Sequence, residues 1–274
     1  MTNDPDYIFS RNYLDNNRIN LQHYLVVQLF GYHIHPSIPI TPETRIADIG
    51  TGTGIWLTDL ADKLPKTIRL DGLDISLDAA PLPSMLPENM SLRTWDIKTA
   101  VPEDLVGVYD IVNVRFFAFV VQDDEMEGVI LNLEKLLKPG GHIQWTDIDI
   151  GSVRLEKTHP DTPADNQMKL LNLFKGSDTR LQPSWVPRLP GLFATCGLAE
   201  IVTDRRDAAP YLALPMHECG LLATEVMTRS REGGDEAFRR TLGAAAKETR
   251  DGSWLAMTRY TVVGRRGLER ISHI

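Results

Sequence analysis

Segment 46–54 reads Ile-Ala-Asp-Ile-Gly-Thr-Gly-Thr-Gly, and its three closely spaced glycines are well suited to ligand binding. Glycine permits positive φ and lets the backbone approach a ligand, while a following helix directs its first amides at that ligand. A dinucleotide-binding turn also needs a glycine three places after its second glycine. In the two available frames that place holds Ile55 or Leu57. The turn therefore favours a ligand other than a dinucleotide, although similar turns also occur without a ligand. The predicted contacts are Asp48, Gly50, Thr51 and Gly52.

Two carboxylates stand where the next two predicted strands end. Asp74 closes the second strand, about 20 residues beyond the last glycine of the turn. A carboxylate there can accept hydrogen bonds from both ribose hydroxyls of an adenosine ligand, with a helix N-cap as the alternative role. Asp96 follows the third strand and can accept from the exocyclic amine of adenine, while the Ile97 amide donates to a ring nitrogen. The alternative for Asp96 is a solvated loop aspartate. With Ile75, these residues predict an adenosine-binding edge.

The fourth predicted strand brings further polar groups to the same edge. It ends with Asn113, Val114 and Arg115, and open α/β sheets bind ligands outside the carboxyl ends of their strands. Backbone carbonyls at this place can hold the ammonium group of a methionine moiety. For Arg115, a surface salt bridge is the alternative role.

Short apolar strands alternate with helices between residues 45 and 150, which predicts a parallel sheet with both faces covered. The predicted strands are 45–49, 69–74, 91–95, 109–114 and 142–148, and the helices are 14–30, 54–63, 78–86 and 123–137. Beyond residue 150 the pattern predicts helices at 165–174, 186–195, 216–230 and 235–249, with strands at 200–203 and 255–263. The last two helices form an insert over about 208–252.

The composition is that of a globular protein whose 274 residues suit one α/β domain with additions, or at most two small domains. A formal net charge of −8 argues against an unaided nucleic-acid binder. Cys196 and Cys219 have neither metal-ligand nor disulfide-framework spacing. Residues 1–6 are unlike a signal peptide, and no apolar run reaches the ~18–20 residues of a membrane span. We therefore predict a cytoplasmic protein without a membrane or nucleic-acid partner.

The ordered motifs of segment 45–150 resemble those of class I methyltransferases that use S-adenosylmethionine (SAM). These motifs are the turn at 48–54, Gly-Leu-Asp-Ile-Ser at 72–76, Trp-Asp at 95–96, Tyr-Asp-Ile-Val at 109–112 and Leu-Leu-Lys-Pro-Gly-Gly at 136–141. Further segments are similar to fungal secondary-metabolite methyltransferases, a branch that includes N-methyltransferases of gliotoxin-type pathways. These segments are 12–14, 18–23, 31–32, 35–36, 54–57, 102–107 and 143–145.

The resemblance implies a Rossmann-like α/β fold with a seven-stranded sheet, an N-terminal helical extension and a helical insert before the last strand. It implies a helical lid at 1–44, a SAM-binding core at 45–150 and a C-terminal part at 151–274 with a cap at about 208–252. The implied cofactor is SAM, with S-adenosylhomocysteine (SAH) as product, and the implied reaction is methyl transfer to N, O or S of a small molecule. Two alternatives stay open. One is a SAM-dependent pericyclase or cyclase without methyl transfer, and the other is a regulatory SAM-binding protein that acts through partners.

Few side chains are suited to acid–base catalysis. Asp147 and Asp149 end the fifth strand near the reacting edge, and His23 lies on the helix that closes over the cofactor in similar proteins. A purely structural role is the alternative for each. No metal-ligand pattern is found, so we predict no metal. The Asn/Asp-Pro-Pro-Tyr/Phe motif is absent after the fourth strand, which argues against methylation of nucleic-acid bases. The apolar side chains of the 208–252 insert predict a pocket lid or, equally, a homodimer surface.

Overall fold

A seven-stranded sheet forms the centre of the molecule, of which the computed structural model describes residues 11–174, 182–229 and 236–268. Its strands are β1 Arg45–Ile49, β2 Arg69–Asp74, β3 Met90–Thr94, β4 Tyr109–Arg115, β5 Leu137–Ile148, β7 Ala199–Arg206 and β9 Arg259–Arg265. They lie in the order β3-β2-β1-β4-β5-β9-β7, and β9 runs antiparallel to both of its neighbours. A separate two-stranded ribbon pairs β6, Arg154–Lys157, with β8, Ser253–Ala256. The sheet confirms the predicted α/β fold with seven strands.

Helices cover both faces of the sheet and extend over its carboxyl edge. They are α1 Tyr13–Phe30, α2 Ile55–Ala61, α3 Met126–Leu136, α4 Asp165–Phe174, α5 Leu189–Thr195, α6 Pro210–Arg229 and α7 Glu236–Arg250. The Asn12 side chain caps α1, and Gly31 ends this helix with a φ of 79°. Among the helices that the structure describes, none has the length and apolar character needed to cross a membrane.

Two sequence predictions of secondary structure are wrong. Segment 78–86 contains only the 3-10 turn Pro83–Met85 instead of a helix, because prolines remove backbone donors and clash with the preceding turn. Segment 255–263 is divided between β8 and β9, which belong to different sheets. The break falls at Thr258, whose amide donates to Ser152 Oγ at 2.8 Å and whose hydroxyl donates to Asp207 Oδ1 at 2.7 Å.

The other predicted helices and strands are present with displaced ends. Predictions for residues 1–10, 230 and 235, including the character of residues 1–6, lie outside the described residues. The division of the chain at residues 44 and 150 stays a prediction.

Side chains that alternate along the strands divide the core into two apolar clusters. Ala47 and Ile49 face the larger cluster with α3 and α5, whereas Ile46 faces the cluster built on α2. This two-residue alternation is the expected consequence of a sheet covered on both faces. The helical layers therefore cover both faces of the sheet and leave the carboxyl edge of the parallel strands accessible. At this edge α1 and α6 pack together through Leu25 and Met216.

Gln144, in the middle of β5, fastens the segment between α1 and β1 to the sheet. Its side chain is buried, and its Oε1 accepts from the His35 amide at 2.6 Å. Its Nε2 donates to the His33 carbonyl at 2.8 Å and to Asn113 Oδ1 at 3.0 Å. One amide side chain thus satisfies three polar groups at the junction of helix, linker and sheet.

We expect Gln144→Leu to lower the free energy of unfolding by about 2–4 kcal/mol, because the apolar side chain leaves those three groups without a partner. Urea titration followed by tryptophan fluorescence measures this loss. Gln28→Leu, at an exposed position of α1, serves as the matched control and should change stability by less than about 0.5 kcal/mol. Equal effects of the two substitutions would contradict the role assigned to Gln144.

Candidate functional site

A cavity of about 420 Å³ opens at the carboxyl edge of the sheet, between the glycine turn on one side and α1 and α6 on the other. The ends of the five parallel strands, or the loops after them, contribute to its wall, as expected for an open α/β sheet. The predicted site residues that line this cavity are Gly50, Gly52, Asp74, Ile75, Asp96, Ile97, Arg115 and Asp147.

The glycine turn adopts the left-handed backbone that its residue types predict. The φ angles of Gly50, Gly52 and Gly54 are 67°, 55° and 72°. A Cβ atom on Gly50 would lie 2.5 Å from the ring of Phe117, so the close approach of that ring also requires glycine. At Gly52 the backbone surface is open, since an added Cβ would meet only the Gly50 carbonyl oxygen at 3.9 Å.

Asp74 is locked against this turn. The Gly52 amide donates to its Oδ2 at 2.8 Å, and the Ser76 amide donates to its Oδ1 at 3.1 Å. Burial raises the pKa of Asp74, whereas these two amides oppose the shift. Each carboxylate oxygen accepts more than one hydrogen bond, so the side chain that lines the cavity keeps acceptor capacity for a ligand.

Asp96 and Ile97 lie farther along the same wall. Asp96 Oδ1 accepts from the Lys98 amide at 2.9 Å, and the Ile97 carbonyl accepts from Asn132 Nδ2 at 2.9 Å. These bonds fix the loop after β3. Ile75 is half exposed beside them. The structure therefore brings together the residues predicted for an adenosine group.

Four other predicted residues lie behind the cavity wall. The Asp48 carboxylate is buried and accepts from Asn113 Nδ2 at 2.7 Å. Thr51 and Val114 are buried as well, and none of the four is among the residues that line the cavity. In this position they support the turn from below, and their predicted contact with a ligand stays a prediction.

Arg115 lines the cavity at the end of β4, and His23 holds it there. Arg115 NH1 contacts His23 Nδ1 at 3.0 Å, while His23 Nε2 contacts Asp59 Oδ2 at 2.9 Å. Burial, followed by the charge of Arg115, lowers the pKa of His23 to about 4. Neutral His23 then donates to Asp59 and accepts from Arg115. Because His23 is fully buried and does not line the cavity, both of its nitrogens serve to position Arg115.

His23, His33 and Asp59 also form a group whose ligand atoms lie within 4.8 Å of one another, close enough for one metal ion. The sequence pattern did not indicate this group. Hydrogen bonds already account for it, since the Nε2 atoms of both histidines contact the same Asp59 oxygen. Lys63 contacts the second oxygen of this carboxylate, and Arg115 contacts His23. The positive charges of these two side chains oppose the binding of a metal ion.

Asp147 lines the cavity and is held by four N–H donors. Its Oδ2 accepts from the Phe117 amide at 2.7 Å and from Trp145 Nε1 at 3.0 Å. Its Oδ1 accepts from the Ile148 amide at 2.9 Å and from the Ala118 amide at 3.3 Å. Burial raises the pKa of Asp147 to about 6, although these donors oppose the shift. Asp149 lies outside the cavity wall and faces the 3-10 turn Ile150–Ser152.

The bonds to Asp147 stabilise an unusual backbone at the cavity. Phe116, which precedes two of its donors, has a φ of 63°, a conformation that costs free energy for a bulky residue. Its ring and the Arg115 guanidinium lie 5.4 Å apart. Asp147 therefore holds the turn that presents Phe116 and Phe117 to the cavity.

Helix α1 and strand β9 contribute arginines that sequence patterns did not single out, whereas His217 on the insert belongs with the candidate bases of the sequence. Arg18 on α1 pairs with Asp15 at 2.7 Å and donates to Gln22 at 2.7 Å, and all three line the cavity. Arg259 and His217 line it from the other side. His217 uses both ring nitrogens, one with the Leu255 amide and one with the Thr249 hydroxyl. A charged side chain is usually a solvated one, so only the fold indicates the positions of Arg18 and Arg259.

The chain is similar in sequence to known methyltransferases of fungi. The chain is 40% identical over 141 residues to the methyltransferase grgD of a Penicillium species, which covers 48% of each protein. It is 31% identical over 199 residues to the N-methyltransferase gliN of Aspergillus fumigatus, covering 70% of this chain and 67% of gliN. A shorter match, 28% over 106 residues, joins 38% of the chain to 33% of the secondary metabolism regulator laeA of Gibberella zeae. The chain thus spans about half the length of grgD. No protein-family model matches it.

Solved structures with low sequence identity share the fold. Phosphoethanolamine N-methyltransferase 2 of Haemonchus contortus, in complex with SAM, superposes with a TM-score of 0.52 at 13% identity, over 90% of this chain and 52% of that one. The YcgJ protein of Bacillus subtilis gives 0.52 at 14% identity, over 90% and 99%. The fold is that of the class I methyltransferases. Within this class, the chain belongs to the family of fungal secondary-metabolite methyltransferases that includes gliN.

We expect Asp147→Asn to lower the free energy of unfolding by about 3 kcal/mol, because in either orientation its NH₂ group faces two N–H donors. Thermal unfolding of the purified protein measures the loss. Asp149→Asn, two residues farther along, is the matched control with a smaller expected effect. If Asp147 acted only as a catalytic base, the variant would keep its stability and lose only turnover, which would contradict this structural role.

Proposed function

We propose that the protein transfers a methyl group from SAM to a nitrogen, or alternatively to an oxygen or sulfur, of a small-molecule secondary metabolite. The observation that carries the proposal is the bare backbone of Gly50 and Gly52 beside the Asp74 carboxylate, all three lining one cavity. The family membership and the printed activity of gliN, an N-methyltransferase, support nitrogen as the accepting atom.

The residues present fit this cofactor. A Cβ atom on Gly52 would meet only the Gly50 carbonyl oxygen, at 3.9 Å, so a ligand can lie against the backbone at this position. Asp74 keeps acceptor capacity for ribose hydroxyls, and Asp96 with Ile97 would hold the adenine. Arg115 keeps a buried Nε–H without a hydrogen-bond partner within the described residues, which suits the carboxylate of the methionine group.

The cofactor supplies a methyl group activated on a sulfonium, and the protein has to place a nucleophile in line with it and exclude water. Apolar side chains from α1 and α6 close the cavity on the side away from the sheet, among them Ile19, Val26, Met216 and Met227. These residues provide a dry wall on which shape rather than charge holds most of the accepting molecule.

The titratable groups of the site already make hydrogen bonds within the protein, which supports a nucleophile that needs no strong base. The carboxylate of Asp147 accepts four hydrogen bonds, and both nitrogens of His23 and of His217 are occupied. A base is useful only when the nucleophile arrives protonated. An amine, whose lone pair is free without prior loss of a proton, therefore suits this site better than an alcohol when the cavity orients it.

The match to laeA favours a second candidate function, a SAM-binding regulator that acts through partner proteins. A charge-dependent pericyclase or cyclase is the remaining alternative. Incubation with methyl-labelled SAM and a panel of secondary-metabolite extracts tests the proposal directly. Labelled product is expected, and its absence from every extract would count against methyl transfer. Product formation that persists when SAH replaces SAM would instead show chemistry without transfer.

We also propose that the protein acts in the cytoplasm without nucleic acid, which the formal net charge of −8 supports. A homodimer through the 208–252 insert is part of the same proposal. Light scattering of the purified protein tests it, and a monomer at all concentrations would contradict it.

Asp74→Asn should weaken SAH binding by about 1–3 kcal/mol, because it removes the charged acceptor for the ribose hydroxyls. Isothermal titration calorimetry measures the change. Asp78→Asn, at an exposed position of the same loop, should leave the affinity unchanged. An unaltered affinity of the Asp74 variant would overturn the cofactor assignment.

A further inference from the structure

Arg259, the first residue of β9, lines the cavity from the side opposite the glycine turn. Its NH1 donates to the Met257 carbonyl at 3.1 Å. Its Nε has almost no exposed surface and no hydrogen-bond partner within the described residues. Asp207 attracts this guanidinium electrostatically without a hydrogen bond between them. The cavity therefore contains a guanidinium with a buried N–H group that no side chain in the described ranges accepts.

The carboxylate that attracts Arg259 electrostatically has other partners. Asp207 accepts from the Thr258 hydroxyl at 2.7 Å and pairs with Arg154 at 3.2 Å. Burial lowers the pKa of Arg259 to about 10, so the group stays positive at neutral pH. A buried charge without a partner is costly, and a ligand that supplies an anion removes that cost.

The other buried arginines of the cavity differ from Arg259. Arg18 pairs with Asp15 at 2.7 Å and donates to Gln22. Arg115 contacts His23 at 3.0 Å and lies over the rings of Trp56 and Phe116. Arg115 also keeps a buried Nε–H without a hydrogen-bond partner within the described residues, and that group is the one proposed above for the methionine carboxylate.

The position of Arg259 separates it from the residues proposed for the cofactor. Because β9 is antiparallel, its first residue lies at the same edge as the last residues of the parallel strands, opposite Ile148 of β5. In the order β1-β4-β5-β9, three strand spacings, about 14 Å, separate it from the glycine turn. Asp74 on β2 lies one spacing farther away. Arg259 therefore lies at the end of the cavity that is farthest along the sheet from the residues proposed for the cofactor.

The surroundings of Arg259 define the rest of that molecule. Apolar side chains from the cap and from the β8–β9 junction line the same part of the cavity, namely Leu221, Met227, Leu255 and Met257. A ligand that fills this part is therefore apolar over most of its surface and carries its charge at one end.

We propose that Arg259 binds an anionic oxygen group, in the first place a carboxylate, of the molecule that accepts the methyl group. This inference rests on the proposed function and adds the substrate class to it. Arg259 thereby selects amphipathic substrates, with one anionic end and an apolar body, over neutral analogues.

The first test is the stability of the unliganded protein. Arg259→Met keeps the length of the side chain and removes the unpaired charge, so we expect Tm to rise by about 2–5 °C. Arg240→Met is the control, since Arg240 lies exposed on α7 with Glu236 as its partner at 3.3 Å, and Tm should not change. Arg259→Gln serves as a second substitution. If the Tm of both variants is unchanged or lower, Arg259 has a structural role and the proposal is overturned.

The second test uses a matched pair of probes, 3-phenylpropionate and its neutral amide, titrated into the protein with and without SAH. We expect the carboxylate to bind about tenfold or more tightly than the amide. Arg259→Gln should abolish this preference, and Arg259→Lys should keep part of it because the charge remains. Equal affinities for the two probes, absence of binding, or a preference that survives Arg259→Gln would overturn the proposal.

The affinity for SAH separates this inference from the proposed function. If the unaltered protein does not bind SAH, the proposed function fails, whereas the carboxylate preference is still measurable on the unliganded protein. If SAH binds and Arg259→Gln weakens it, Arg259 belongs to the methionine carboxylate and the substrate assignment is overturned. Unchanged SAH affinity together with lost carboxylate preference supports the assignment.

Discussion

The hydrogen bond from the Gly52 amide to the Asp74 carboxylate joins the turn after β1 to the end of β2 at 2.8 Å. It forms because the two strands pair in parallel with Ile49 opposite Leu73, which brings both strand ends to one edge. Positive φ at Gly50 and Gly52 then turns the amide toward the carboxylate. The cavity wall depends on this contact, since it fixes a bare stretch of backbone beside a buried acceptor.

A chain of buried polar side chains holds this edge from behind. Asp48 on β1 accepts from Asn113 on β4, which accepts from Gln144 on β5, and Gln144 continues to the linker at His33 and His35. Because each side chain of this network has hydrogen-bond partners, the network makes the edge rigid, and the burial of its polar groups is not costly. It connects three neighbouring strands with the end of α1. The helix that covers the cavity is thus coupled to the sheet through the linker and again through the contact of His23 with Arg115.

The sequence predicted the sheet and the cofactor wall because both follow from local patterns. Alternating strands and helices specify the parallel sheet, and glycines and acids at strand ends specify the edge where a ligand binds. The Thr258 break in the last predicted strand depends instead on Ser152 and Asp207, which are distant in sequence. The division of predicted contacts into wall residues and supporting residues such as Asp48 also requires the packing. His23 was a candidate base by residue type, yet only its two partners in space show that it positions another side chain.

The distribution of charged groups around the cavity indicates which part of the site selects the substrate. At the glycine turn, the acids are held by backbone amides, and Arg115 is held by a neutral histidine, so this end is organised before a ligand arrives. At the cap end, His217 is satisfied by its own surroundings, and apolar side chains dominate. Arg259, half-buried at this end, has an Nε–H without a hydrogen-bond partner within the described residues, and Asp207 attracts it without a hydrogen bond. Replacing such a charge by a hydrophobic side chain of similar volume is often neutral or stabilising, so folding alone does not require it. The charge is therefore best explained by the molecule that enters beside it, and the chemistry of the accepting substrate follows from the cap rather than from the glycine turn.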